Sequence, residues 1–226
     1  MKLQHGRVSI ELHSLQEGVG ETLLLLHAVG GCADDWRDTS RVWPGPVFAL
    51  DFAGHGGSGH VRGGGYYPEY FLADADLALQ HVGGRAAVAG AGLGAYVALL
   101  LAGARPEGVR AVLLLPGRGL MGGGTEPDFG ELAAVGLEAL RARMQADARR
   151  YAPGSDPMVS DCEHDIRPPD YVAEFAAAAR CPLFSEAVAK SGEEPAWWRA
   201  ARQAARGECV PEELGAAFVR LREACR

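Results

Sequence analysis

With 226 residues, 48% of them apolar and 23% charged, the chain has an ordinary globular composition and the length for one full hydrophobic core. Its formal net charge of -7, from 22 basic and 29 acidic side chains without a Lys/Arg cluster along a helix face, argues against nucleic acid as a partner. Five scattered cysteines with no C-x-x-C pair, and seven histidines with no H-x-x-x-H spacing, support neither a disulfide frame nor a metal centre, and no cofactor is expected.

The opening stretch MKLQHGRVSIEL lacks the apolar core of a signal peptide, so the expectation is a cytoplasmic protein. RVSIELH alternates as a half-exposed strand, and TLLLLHA is a continuous apolar run suited to a strand buried on both faces. VFALDF reads as a third strand, YYPEYFLADADLALQHV as an amphipathic helix and RAAVAG as the next strand. The uncharged run between Arg85 and Arg105 has the length of a membrane span. Glycines at 90, 92 and 94 divide it, however, into buried strand, tight turn and buried helix, and no membrane association is expected.

Val109 to Leu115 is a further apolar strand, followed by the glycine-rich loop PGRGLMGGGTEPDFG and the charged helix GELAAVGLEALRARMQADARR. The Gly122 to Gly124 run reads as a flexible connection or a lid. PMVSDCEHD then reads as a strand ending in an acidic loop, PPDYVAEFAAAAR as a helix, CPLFSEA as a short last strand, and PAWWRAARQAAR and PEELGAAFVRLREAC as two closing helices. Alternation of this kind predicts one domain over 1–226, an α/β fold whose mainly parallel sheet is covered by helices on both faces. Ligands of such sheets bind beyond the carboxyl ends of the strands.

The loops at those ends read LLLLHAVGGCADDW, ALDFAGHGGSG, VAGAGLGAYVALLLAG and SDCEHDIRPP, in that order. By these four motifs, which span nearly the whole chain, the sequence resembles the α/β-hydrolase superfamily, with a very short cap over about 117–152. The resemblance implies that HAVGG is the oxyanion loop, with His27 structural, Val29 giving one donor N–H and Gly30 beside it. Ala28 stands where glycine is more frequent, and His55 of DFAGHGGSG is implied to brace neighbouring loops.

GAGLG falls on the nucleophile elbow, and Gly92 occupies the nucleophile's position. Neither Gly92 nor its neighbours Ala91 and Leu93 can attack a carbonyl, so no acyl-enzyme forms there. The N–H groups of Leu93 and Val29 still offer a place for an anionic or carbonyl oxygen. CEHDIRPP matches the acid loop and aligns Asp165 with the catalytic acid, yet no histidine follows Asp165, and Gly192, Glu193 and Glu194 lie near the expected base.

With nucleophile and base both missing, the resemblance implies a pseudoenzyme binding a small molecule in a retained cleft. A second reading is an atypical hydrolase or lyase in which His164, beside Asp165, activates water. Cys32 as a thiolate nucleophile, or His27 or His55 as base, are weaker variants of it. A third reading is an interaction protein, with Trp197 and Trp198 on a partner or homodimer face. Tyr171 and Phe175, at helical spacing, read as core.

Overall fold

Alternating and continuous apolar runs take the strand positions that their patterns predict. The computed structural model describes residues 1–125, 138, 142, 144–146 and 149–226. Among them run β1 (Lys2–His5), β2 (Val8–Gln16), β3 (Leu23–Leu26), β4 (Val47–Asp51), β5 (Ala86–Ala91), β6 (Val109–Leu115), β7 (Pro182–Ser185) and β8 (Glu208–Val210). They form one sheet in the order β1-β2-β4-β3-β5-β6-β7-β8. The β1–β2 and β2–β4 pairs are antiparallel and the others parallel.

Helices α1 (Pro68–His81), α2 (Leu93–Ala104), α3 (Pro169–Ala178), α4 (Glu186–Lys190), α5 (Ala196–Ala204) and α6 (Leu214–Ala224) surround it. The twofold side-chain period of the strands divides the core. Leu24, Leu26, Val88, Val112 and Leu114 face α1, α2, α3 and α5, whereas Leu23, Leu25, Ala87, Ala89 and Leu113 face Trp36, Trp43 and α6. Both faces are thus closed, which is why the central strands carry no alternation of polar residues.

The run between Arg85 and Arg105 resolves, as expected, into β5, the Gly92 turn and α2. No helix among the described residues is long and apolar enough to cross a membrane. Other expectations need correction. PMVSDCEHD is not a strand: the Asp156 carboxylate accepts the Met158 N–H at 3.0 Å, Pro157 follows the cap, and residues Pro157–Glu163 wind into a 3-10 helix. CPLFSEA gives β7, but β7 is not last, because the three-residue β8 joins the sheet edge beyond it.

Trp197 and Trp198 are both 1% exposed, so neither anchors a partner. Trp197 stands edge-on to Tyr96 at 5.0 Å and Trp198 edge-on to Phe184 at 5.2 Å. Phe175 is partly buried against the core, while Tyr171 is 37% exposed and stays at the surface. The Gly122 to Gly124 run is tied down: Gly123 N–H donates to the Asp165 carbonyl at 2.8 Å and Arg167 N–H to the Gly124 carbonyl at 2.9 Å. Most of the charged helix expected after it lies outside the described residues.

Candidate functional site

Gly92 ends β5 and begins α2 with φ 58° and ψ −120°, angles that L side chains rarely adopt. A strand turning directly into a helix forces them, and glycine takes them without a Cβ penalty. The elbow therefore stands at the carboxyl edge of the sheet, beside the loop that comes after β3.

Sequence reasoning missed the segment that lies over it. After β6 the chain runs through residues 116–119 across the elbow, where one backbone donor holds the end of β6 and two hold the segment itself. Gly92 N–H donates to the Leu115 carbonyl at 3.1 Å. Leu93 N–H donates to the Arg118 carbonyl at 3.0 Å, and Val29 N–H reaches the same oxygen at 3.4 Å. The first of these two is a bond of ordinary length and the second a long one. The two N–H groups expected to hold a ligand's oxygen thus converge on an oxygen of the chain itself.

The fit depends on missing side chains. A Cβ on Gly92 would overlap the Arg118 carbonyl oxygen and lie 2.7 Å from the Gly117 carbonyl carbon. A Cβ on Gly117 would come within 2.8 Å of Gly92 N, and one on Gly119 within 2.6 Å of Val29 Cγ2. The Arg118 guanidinium is engaged elsewhere, donating to the Arg150 carbonyl at 3.0 Å and lying 5.4 Å from the Tyr151 ring centroid. The only sequence signal for this arrangement was PGRG directly after an apolar strand.

Two histidines support the loops from beneath. Phe52 N–H donates to His27 Nε2 at 3.1 Å, which places the ring proton on Nδ1, where it is donated to the Ala28 carbonyl at 2.7 Å. Gly30 N–H donates to His55 Nε2 at 3.0 Å, and His55 Nδ1–H donates to the Ala53 carbonyl at 3.1 Å. Burial lowers the pKa of both rings, and their mutual repulsion lowers that of His55 further. Neutral and with both nitrogens bonded, these rings brace the loops and have no lone pair left for proton transfer. The Gly30 N–H, expected near a ligand, is taken by His55.

Beside the filled elbow a cavity of about 280 Å³ opens along the carboxyl edge, lined by residues that include Ala28, Trp36, Leu115, Ser185, Glu212 and Leu214. Another, of about 370 Å³, shares Ala28 and Asp35 with it and is bounded by Arg118, Arg150 and Tyr151. The ends of β5, β6 and β7 and the loop after β3 all send residues to the first cavity, which is where a sheet of this kind places its ligands.

The family model for the alpha/beta hydrolase family matches residues 23–222. The chain belongs to the α/β-hydrolase family. Among solved structures it is similar to the thioesterase domain from the curacin biosynthetic pathway, with 17% identity, TM-score 0.69, and 100% of this chain and 98% of that one covered. An α/β hydrolase from Sphaerobacter thermophilus is similar at 19% identity and TM-score 0.65, covering 98% of this chain and 99% of that one. The bottromycin epimerase BotH, in complex with bottromycin A2, is similar at 19% identity and TM-score 0.55, covering 94% and 95%. No curated protein matches.

Against this family's architecture the structure moves two expected positions. Asp165 lies between the 3-10 helix Pro157–Glu163 and α3, before β7 and not on the loop after it. At the end of β7 stands Ser185, whose hydroxyl accepts the Ala187 N–H at 3.3 Å and caps α4. Beyond the last strand come Pro211, Glu212 and Glu213, so the segment after the last strand is this one and not the stretch of Gly192, Glu193 and Glu194. Glu213 caps α6 through the Gly215 and Ala216 N–H groups at 3.0 and 2.7 Å, and Glu212 faces the first cavity.

His164 is exposed and Asp165 partly buried, and neither lines either cavity. Burial pushes the Asp165 carboxyl up to about 6, against the opposing pull of Arg167, with Glu69 adding to the rise. Such a group favours the folded state most when protonated: its stabilisation is complete below the unfolded value near 3.8 and is lost as pH rises through about 6. Asp165→Asn is expected to remove this part of the pH dependence and to be more stable than the parent at pH 7, as read by urea melts at pH 4 and pH 7. Cys32 lies among Asp34, Asp35 and Asp51, and burial together with these carboxylates raises its thiol pKa, so the thiolate is disfavoured.

Proposed function

We propose that this α/β-hydrolase-family chain is a non-hydrolytic member that binds a small molecule at the carboxyl edge of its sheet. One observation carries the reading: the Leu93 and Val29 N–H groups already hold the Arg118 carbonyl oxygen. An acyl-transfer enzyme keeps such donors for the oxygen that becomes negative in its transition state. Here that oxygen would have to displace a backbone carbonyl, beside a residue with no side chain to attack it. The family places a base after the last strand, and the segment there, residues 211–213, contains none with an imidazole. The similar bottromycin epimerase illustrates, by its name alone, that this fold is not bound to hydrolysis.

The second reading, an atypical hydrolase or lyase, is favoured by the Asp165 carboxyl at about 6, close to the range of a general base at neutral pH. A panel of short and medium acyl p-nitrophenyl esters decides between the two when the chain is assayed beside Asp165→Asn and His164→Ala. Binding without hydrolysis predicts rates equal to buffer for all three proteins. Turnover above buffer that collapses in either variant would overturn it and assign water activation to the Asp165 loop.

A further inference from the structure

Building on the reading of the chain as a small-molecule binder, we propose that the turn from Gly117 to Leu120 is a gate on the elbow. When a ligand's carboxylate arrives, the peptide between Arg118 and Gly119 turns over. The Arg118 carbonyl is withdrawn from the Leu93 and Val29 N–H groups, and the Gly119 N–H is presented on the side that the carbonyl leaves. A plug supplied by the chain thereby becomes a third donor.

The turn has the form that permits this. Leu120 N–H donates to the Gly117 carbonyl at 3.2 Å, Gly119 takes φ 75°, and Arg118 does not take a positive φ. These are the marks of a type II turn with glycine at its third position. A type I turn joins the same two ends, but its central peptide faces the other way. Passing from one to the other needs rotation of a single peptide unit, and Gly119 accepts either sign of φ. The carbonyl of that unit is the one that the Leu93 and Val29 N–H groups hold.

Both flanks of the rotating unit are fastened. The Arg118 guanidinium donates to the Arg150 carbonyl at 3.0 Å and lies 5.4 Å from the Tyr151 ring centroid. The Leu120 carbonyl accepts from Trp197 at 2.8 Å and from Arg167 at 2.7 Å. Between them the Gly119 N–H has no hydrogen-bond partner among the described residues, so rotation breaks only the two bonds of the Arg118 carbonyl, one of them long at 3.4 Å. Without a ligand, rotation leaves three N–H groups with no acceptor, which keeps the gate shut. A carboxylate oxygen supplies that acceptor through charge-assisted hydrogen bonds. Val29 and Arg118 both line the 370 Å³ cavity, which gives the oxygen its route to the donors.

NMR of the isotopically labelled full chain, titrated with butanoate and with butanol as the uncharged control, reads the gate directly. A strong nuclear Overhauser effect between Arg118 Hα and the N–H of residue 119 marks type II, and a weak one marks type I. Butanoate, but not butanol, is expected to abolish the hydrogen-bond coupling between Leu93 and Arg118 and to weaken that effect, while the coupling between Leu120 and Gly117 persists. Gly119→Ala should tilt the turn toward type I without any ligand, because alanine is strained at φ 75° and its Cβ would lie 2.6 Å from Val29 Cγ2. With the closed state disfavoured, this variant should bind butanoate roughly 3-fold to 10-fold tighter than the parent. Butanoate that binds the parent and leaves the Leu93–Arg118 coupling intact would overturn the gate while the binder reading stands. Loss of both couplings together would overturn it as well, because the segment would then leave whole. Binding of neither probe by parent or variant counts against both.

Discussion

Gly92→Ser, the substitution that rebuilds a nucleophile elbow, is expected to destabilise the fold by roughly 3–5 kcal/mol and to yield no esterase. Two costs combine at this position. The backbone at φ 58° and ψ −120° strains any residue with a Cβ. The new atom also overlaps the Arg118 carbonyl, so residues 116–119 must retreat and the Leu93–Arg118 hydrogen bond is lost, about 1 kcal/mol more. A drop of roughly 10 °C in melting temperature corresponds to this sum for a chain of this size. Gly92→Ala should cost nearly as much, because the Cβ and not the hydroxyl is at fault. A loss below about 1 kcal/mol in urea titrations would mean that the elbow is open enough for a side chain.

Trp197→Ala is expected to cost about 3–5 kcal/mol, the range for truncating a fully buried aromatic. Its indole fills the space between Tyr96 and Trp198, and its Nε1–H donates to the Leu120 carbonyl at 2.8 Å. The same carbonyl accepts from the buried Arg167 at 2.7 Å, and that guanidinium lies 4.7 Å from the Tyr96 ring centroid. Leu120 directly succeeds the segment that covers the elbow, so Trp197 and Arg167 fasten the far end of that segment to the core. Trp197→Phe keeps most of the volume and loses the hydrogen bond, for a loss of roughly 1 kcal/mol. Denaturant midpoints of the two variants measured side by side separate packing from bonding; equal losses would deny the packing role.

These two sites also show how far a sequence can be read. The strand β3, the elbow and the buried helix after it were legible because LLLL, the glycines at 90, 92 and 94 and the apolar run after them each restrict the backbone to one conformation. The first and last strands were not. β8 has three residues, two of them exposed at the sheet edge, too short to express a period. The strand expected at PMVSDCEHD failed because an Asp-Pro cap outweighed its short apolar stretch, so the loop that carries Asp165 follows a 3-10 helix and not a strand. The oxygen over the elbow was beyond reach for a different reason. A backbone carbonyl has no residue identity, and only the glycines at 117 and 119 hint that two chain segments meet there. The buried tryptophan pair was ambiguous because an aromatic dipeptide fits a core and a partner face equally well.

Everything proposed for the elbow depends on its donor pair being occupied by the chain's own Arg118 carbonyl. Through-hydrogen-bond scalar coupling between the Leu93 amide nitrogen and the Arg118 carbonyl carbon, measured by NMR on the isotopically labelled chain, reads that occupancy at the bond itself. An occupied elbow gives a resolved coupling, with the Leu93 amide exchanging only as slowly as global unfolding allows. No coupling, together with exchange of the Leu93 amide at the rate of an open site, would refute the occupancy and leave the Leu93 and Val29 donors free for a ligand's oxygen.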